Sequence, residues 1–168
     1  MIETDFEKMK KWPLARKLRA FNSCPAELNK ALRRFPKKMW GFTTQPGKNW
    51  CIQEVLWHLA DAEMHASVRF RQALAEPNTA VAAWDQEKWG AAPPYRKLDV
   101  KQALEVFTVL RKANIAFLKR VPKKAWGNKV RHPQFGLRTL ESLVVTNTWH
   151  VYNHIGQMER RFNEWKGR

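Results

Sequence analysis

Residues 51–63 read Cys51-Ile52-Gln53-Glu54-Val55-Leu56-Trp57-His58-Leu59-Ala60-Asp61-Ala62-Glu63. Ile52 and Leu59 stand seven residues apart, and Ala66 and Ala73 continue the spacing, with Leu56 and Phe70 beside them. Apolar residues at that period line one face of a helix. The pattern predicts a helix over 52–75. Cys51 occupies the N-cap position and Glu54 follows three residues on, the arrangement of a capping box in which a thiol is a weaker acceptor than a serine hydroxyl. His58 borders the apolar stripe, with Asp61 one turn further.

Three more stretches carry the same period. Residues 140–165, capped by Thr139, put Leu140, Val144, Val151, Ile155, Met158 and Phe162 on one side. Residues 100–121 open at Asp99, bury Val100, Leu104, Phe107, Leu110, Phe117 and Val121, and stop at Pro122. A first helix is expected over 25–35, with Pro25 in its first turn and Ala26, Leu28, Leu32 and Phe35 facing inward. Residues 6–20 add a turn or two before it. No strand signal competes, so the fold class is all-α: a four-helix bundle with a long connection between helices 2 and 3, forming one domain over 1–168. That connection, about 77–98, holds Pro77, Trp84, Trp89, Pro93 and Pro94. A segment of this length either crosses the bundle or covers a site.

The rest of the composition excludes several classes. The 168 residues are 44% apolar and 27% charged, which suits a soluble globular chain that buries a real core. No apolar run approaches a membrane span, and the stretch MIETDFEKMKKWPLARKL lacks the unbroken apolar segment of a signal peptide. The expected location is cytoplasmic. Cys24 and Cys51 are too few for a disulfide framework and read as free thiols. The net charge of +16 is spread over Lys8, Lys10, Lys11, Lys37, Lys38, Lys123, Lys124, Arg160 and Arg161 without a nucleic-acid motif. It reads as a solvated basic surface, and a nucleic-acid partner is not expected. A weak internal echo pairs Phe35-Pro36-Lys37-Lys38-Met39-Trp40-Gly41 with Val121-Pro122-Lys123-Lys124-Ala125-Trp126-Gly127.

The five histidines carry the chemistry. His150 and His154 stand four apart on the last helix, so their rings share a face one turn apart, near enough to share a metal ion. Asn147 and Gln157 lie on that face as possible partners of the rings. Bundles build metal sites by bringing such side chains inward from different helices, and His58 is the candidate from the second. The plain alternative is a set of boundary histidines bonded to one another, to Asn or to water. His65 lies two turns from His58, too far to share its ion easily, and His132, beside Pro133, is expected in an exposed loop. Nine tryptophans serve either as core packing or as the wall of an apolar substrate pocket.

The segment Trp50–Glu63, together with Gly136, Thr139-Leu140 and His150-Val151-Tyr152-Asn153-His154-Ile155-Gly156-Gln157, resembles the second- and last-helix signatures of the DinB-like superfamily, which includes the YfiT-type metal-dependent hydrolases. The resemblance spans about residues 24–160. It departs at Cys51, where a cap serine is usual. It implies a four-helix bundle with a metal site made by His58, His150 and His154, holding nickel, zinc or another first-row divalent ion. It further implies homodimers and a small-molecule substrate. For some members it implies reactions with a low-molecular-weight thiol such as bacillithiol or mycothiol.

Three imidazoles leave coordination positions open, which is the mark of a catalytic site. Hydrolysis and thiol transfer need the same ligands. Asp61 is the first candidate for a catalytic group that positions the incoming water or thiol, and Glu54 the second. Val145, Trp149 and Tyr152 lie on the side of the last helix away from its main stripe, which favours a homodimer interface. A non-catalytic metal-binding or stress-response module remains the alternative to an enzyme.

Overall fold

The computed structural model describes residues 5–168; Met1–Thr4, the start of the stretch read against a signal peptide, lie outside the described residues. Among the described residues six α-helices follow one another: α1 Phe6–Lys10, α2 Leu14–Leu32, α3 Ile52–Ala75, α4 Gln86–Ala91, α5 Val100–Leu118 and α6 Leu140–Lys166. α2, α3, α5 and α6 form a four-helix bundle. α3 packs chiefly on α5 and α6, and α2 on α6 and α5. No helix among the described residues is long and apolar enough to cross a membrane.

α3 begins and ends where its apolar period predicts. The Cys51 amide donates to the Glu54 carboxylate at 2.8 Å, closing the capping box. α6 starts at Thr139, whose hydroxyl accepts from the Ser142 amide at 3.0 Å. α5 opens at Asp99, which accepts from the Lys101 amide at 2.9 Å. The two echoed segments adopt the same turn. After each proline a short 3-10 helix forms, Lys37–Met39 and Lys123–Gly127, closed by 2.9 Å bonds from the Met39 amide to the Pro36 carbonyl and from the Ala125 amide to the Pro122 carbonyl.

α2 is longer than its expected range and starts eleven residues earlier. Pro25 therefore sits inside the helix rather than in its first turn. A proline there withholds the amide hydrogen that the Phe21 carbonyl would accept. Arg111 of α5 supplies the missing donor: its guanidinium reaches the Phe21 carbonyl at 3.1 Å. The same side chain donates to Glu63 of α3 at 2.6 Å, and Asn114 donates to the other Glu63 oxygen at 2.7 Å. All three are essentially solvent-free. The buried stripe of α5 accordingly runs through Ala103, Phe107, Arg111, Asn114 and Leu118. Leu104 and Leu110 of the expected face are only half-buried.

Two further expectations are corrected. Lys129–His132 (β1) and Gly136–Thr139 (β2) form an antiparallel hairpin with Val130 opposite Arg138 and His132 opposite Gly136. Four-residue strands are too short to show alternation beyond doubt in sequence. His132 faces inward on β1 and is 5% exposed, not looped out. Val145 and Tyr152 are buried, and Trp149 packs edge-on to Phe6 of α1 at 5.5 Å. Helices of the same chain thus bury Val145 and Tyr152 and leave Trp149 half-buried beside a cavity.

Candidate metal centre

Two helices deliver the three histidines. His58 lies in the second turn of α3 and is 2% exposed. His150 and His154 stack along α6, with ring centroids 4.5 Å apart. The Nε2 atom of His150 is 2.9 Å from that of His58 and 3.0 Å from that of His154. The candidate ligand atoms of all three lie within 4.8 Å of one another, and among the described residues this is the one such cluster of His, Cys, Asp or Glu.

The hydrogen-bond arithmetic shows what the cluster fits. Gln157, one turn beyond His154, faces its Nδ1 across 2.7 Å. The amide oxygen can only accept, so Nδ1 carries the proton and His154 turns a lone pair inward from Nε2. If His150 donates from Nε2, it must serve two acceptors at once, and the buried Nδ1 of His58 is left as a donor with no partner. If His150 presents a lone pair, it faces that of His154. Every neutral tautomer leaves a conflict, and a proton that bridged two of the rings would put a charge where burial disfavours it. Burial holds His58 down to about 3 and His154 down to about 4, and it takes His150 well below the usual imidazole range. Neighbouring imidazoles reinforce the shift at His58 and His150. Three neutral rings with inward lone pairs are the donor set of a first-row divalent cation.

The 77–98 connection covers this site. Trp84 lies between two histidines of α3, stacked on His58 at 5.4 Å and 22° and on His65 at 5.0 Å and 15°. Trp89, within α4, lies 5.1 Å from both His65 and Trp84, so the three rings form one cluster. The Arg69 guanidinium ties the segment down through the Ala82 carbonyl at 2.7 Å. Beside Trp84 opens a cavity of about 930 Å³ whose wall includes His58 and His150 together with Phe6, Phe135, Trp149, Asn147 and Thr146. Asn147 lines it while its own amide donates to the Leu143 carbonyl at 2.8 Å, so of the two polar residues read on α6 it is Gln157 that meets a histidine.

Asp61 and Glu54 stand elsewhere. The Asp61 carboxylate accepts from the Tyr95 hydroxyl, and both line a second, more open cleft with Trp57 and Trp89. Burial raises the Asp61 pKa, and the Tyr95 bond opposes that rise. Glu54 caps α3 and pairs with Arg96 at 2.9 Å. Sequence reading missed Arg69, His132 and Arg138 as walls of the large cavity. Arg69 follows His58 by eleven residues, three helical turns, and that register was the available signal.

A four-helix bundle whose long helices bring three histidines to one point defines a class of helical-bundle proteins, and sequence similarity places the chain within one such family. Residues 20–158 match the family model of the DinB superfamily, to which the protein belongs. A Bacillus cereus (strain 03BB102) protein named "Putative metal-dependent hydrolase" is 28% identical over 142 residues, 83% of this chain and 81% of its own. Among solved structures, YfiT from Bacillus subtilis, described as "a probable metal-dependent hydrolase with an unusual four-helix bundle topology", superposes with a TM-score of 0.83. The match has 21% identity and covers 91% of this chain and 87% of that one. A mycothiol-dependent maleylpyruvate isomerase shares the fold at a TM-score of 0.73 and 12% identity, over 89% of this chain and 62% of its own.

Proposed function

We propose that the protein is a metal-dependent hydrolase of a small molecule, with His58, His150 and His154 holding one divalent first-row ion. The observation that carries this reading is the convergence of three Nε2 atoms, 2.9 and 3.0 Å apart in sequence of contact, at the wall of a cavity large enough for a substrate. The description of the Bacillus relative as a metal-dependent hydrolase supports it. An ion held by three imidazoles supplies Lewis acidity and a lowered water pKa at its remaining positions.

The protein's own residues prepare that chemistry. Low imidazole pKa values keep the ligands deprotonated at neutral pH, so no proton must leave before a cation is taken up. Gln157 fixes the tautomer and the ring plane of His154. Trp84 shields one face of His58 from water. Asp61 is assigned a positioning role: by accepting from Tyr95 it anchors the end of the 77–98 connection and so holds Trp84 and Trp89 over the site.

The same three ligands serve transfer to a low-molecular-weight thiol, so the test must offer both. Protein stripped with a chelator and reloaded with Zn, Ni, Mn or Co is assayed against ester, amide and phosphoester panels, with and without bacillithiol or mycothiol. Metal-dependent hydrolysis without thiol supports the reading. Turnover only with thiol, or turnover equal in the stripped protein, overturns it.

A further inference from the structure

The large cavity carries a second feature besides the histidines. Arg69 of α3 and Arg138 of β2 both line it, and His132 of β1 lies with them. None of the ion pairs among the described residues involves either arginine. Arg69 spends one nitrogen on the Ala82 carbonyl, while its Nε is buried without a partner. Arg138 lies over the Phe135 ring at 5.5 Å. A guanidinium taken partly out of water without a carboxylate is costly, and two in one pocket are costlier. His132 registers both: burial first, then the charges of Arg69 and Arg138, hold its pKa below the usual range. The acid on this wall is Asp85, which already caps α4 by accepting from the Glu87 and Lys88 amides at 3.2 Å each. Four aromatic residues, Phe6, Trp84, Phe135 and Trp149, share the rest of the wall with small and uncharged polar side chains such as Thr146 and Asn147.

We infer that this cavity recognises an organic anion, with Arg69 and Arg138 receiving a carboxylate or phosphate group while the aromatic wall takes an apolar body. The inference deepens the hydrolase reading and rests on it for the identity of the site: the substrate class is an anionic small molecule whose scissile group reaches His58 and His150. A planar guanidinium matches either oxyanion through paired donors, and an apolar body gains from rings whose edges and faces are already in place. Part of the chain's positive charge then has a defined use, focused in a cleft rather than spread over the surface.

Binding is read directly, because Trp84 and Trp149 report on the cavity by fluorescence, with calorimetry as the second method. The probes are phenylacetate, phenyl phosphate and the uncharged phenylacetamide, applied to the metal-loaded protein, the chelator-stripped protein and the His154→Ala variant. The loss of a charge-assisted bond predicts that phenylacetate or phenyl phosphate binds about tenfold or more tighter than phenylacetamide, and that Arg138→Gln or Arg69→Gln removes most of that preference. The preference persists in the stripped protein and in His154→Ala. The carboxylate and phosphate arms tell which oxyanion the pocket fits. Equal binding of phenylacetate and phenylacetamide overturns the inference. So does a preference that survives both arginine substitutions but vanishes on stripping, because the anion then sits on the metal, and the metal reading stands without this one. Should His154→Ala keep full metal while the arginine effect holds, the ligand assignment fails and the anion site stands. Circular dichroism of each variant confirms that the helices persist.

Discussion

The Arg111 guanidinium donates to the Phe21 carbonyl across 3.1 Å, one turn before Pro25 in α2, where the helix has no amide hydrogen to offer. The same guanidinium neutralises Glu63, and its carbon lies 3.8 Å from the centre of the Phe21 ring. One buried side chain thereby joins α2, α3 and α5, close enough to His150 for its charge to act on that imidazole. Removing one partner of a buried pair leaves the other charge uncompensated. Arg111→Ala is expected to lower unfolding stability by about 3–5 kcal/mol in urea titrations. A loss under 1 kcal/mol would mean that Glu63 and the Phe21 carbonyl find other partners at little cost.

Trp84 is held over the site by two stacked contacts, to His58 and His65. Each aromatic pair contributes about 0.5–1.5 kcal/mol beyond its area. Trp84→Ala should leave the four long helices intact by circular dichroism while amide exchange over residues 80–91 rises about tenfold. Unchanged exchange there would show that Arg69 and α4, rather than Trp84, fasten the segment.

The histidine pKa shifts fix the sign of the pH dependence for metal-free protein. Burial holds His58, His65 and His154 down to about 3, 4 and 4 in the folded chain, below the usual imidazole value of 6.5. Between those values the unfolded chain binds more protons, so folding stability falls as pH drops from about 6.5 toward 4. Above 6.5 these groups contribute no slope. Urea midpoints measured on stripped protein between pH 8 and 4 should show a plateau and then a decline, shallower in His154→Gln. A midpoint that stayed level down to pH 4.5 would contradict burial as the cause of the shifts.

Gln157 orients His154 through its Nδ1 proton. Partners of this kind affect metal affinity by about 10- to 100-fold. Gln157→Leu is expected to weaken zinc binding within that range, measured by competition with a chelating dye, while Gln157→Glu restores most of it. Wild-type affinity in the leucine variant would remove Gln157 from the site.

Most of the fold and the three-histidine cluster were legible because both follow from helical periodicity. Ile52 through Ala73 fixed α3 to the residue, and the His150/His154 spacing fixed the shared face on α6. What escaped depended on partners distant in sequence. Pro25 looks like a helix start until Arg111, 86 positions on, is seen to replace its missing donor. Arg111 and Asn114 look like interruptions of an apolar stripe until Glu63 is placed opposite. His132 looks exposed because a four-residue strand gives no period to read. Asp61 stands one turn from His58 in sequence, yet its carboxylate turns to Tyr95 and another cleft, a direction that spacing alone does not set.

The central claim is one ion per chain on three histidines, and elemental analysis tests it most directly. Protein purified without a histidine tag, exchanged into metal-free buffer and loaded with zinc, should hold one equivalent by inductively coupled plasma mass spectrometry. His58→Ala, His150→Ala and His154→Ala should each fall to a small fraction of that. One equivalent retained in any of these variants, or none in the wild type, would contradict the account.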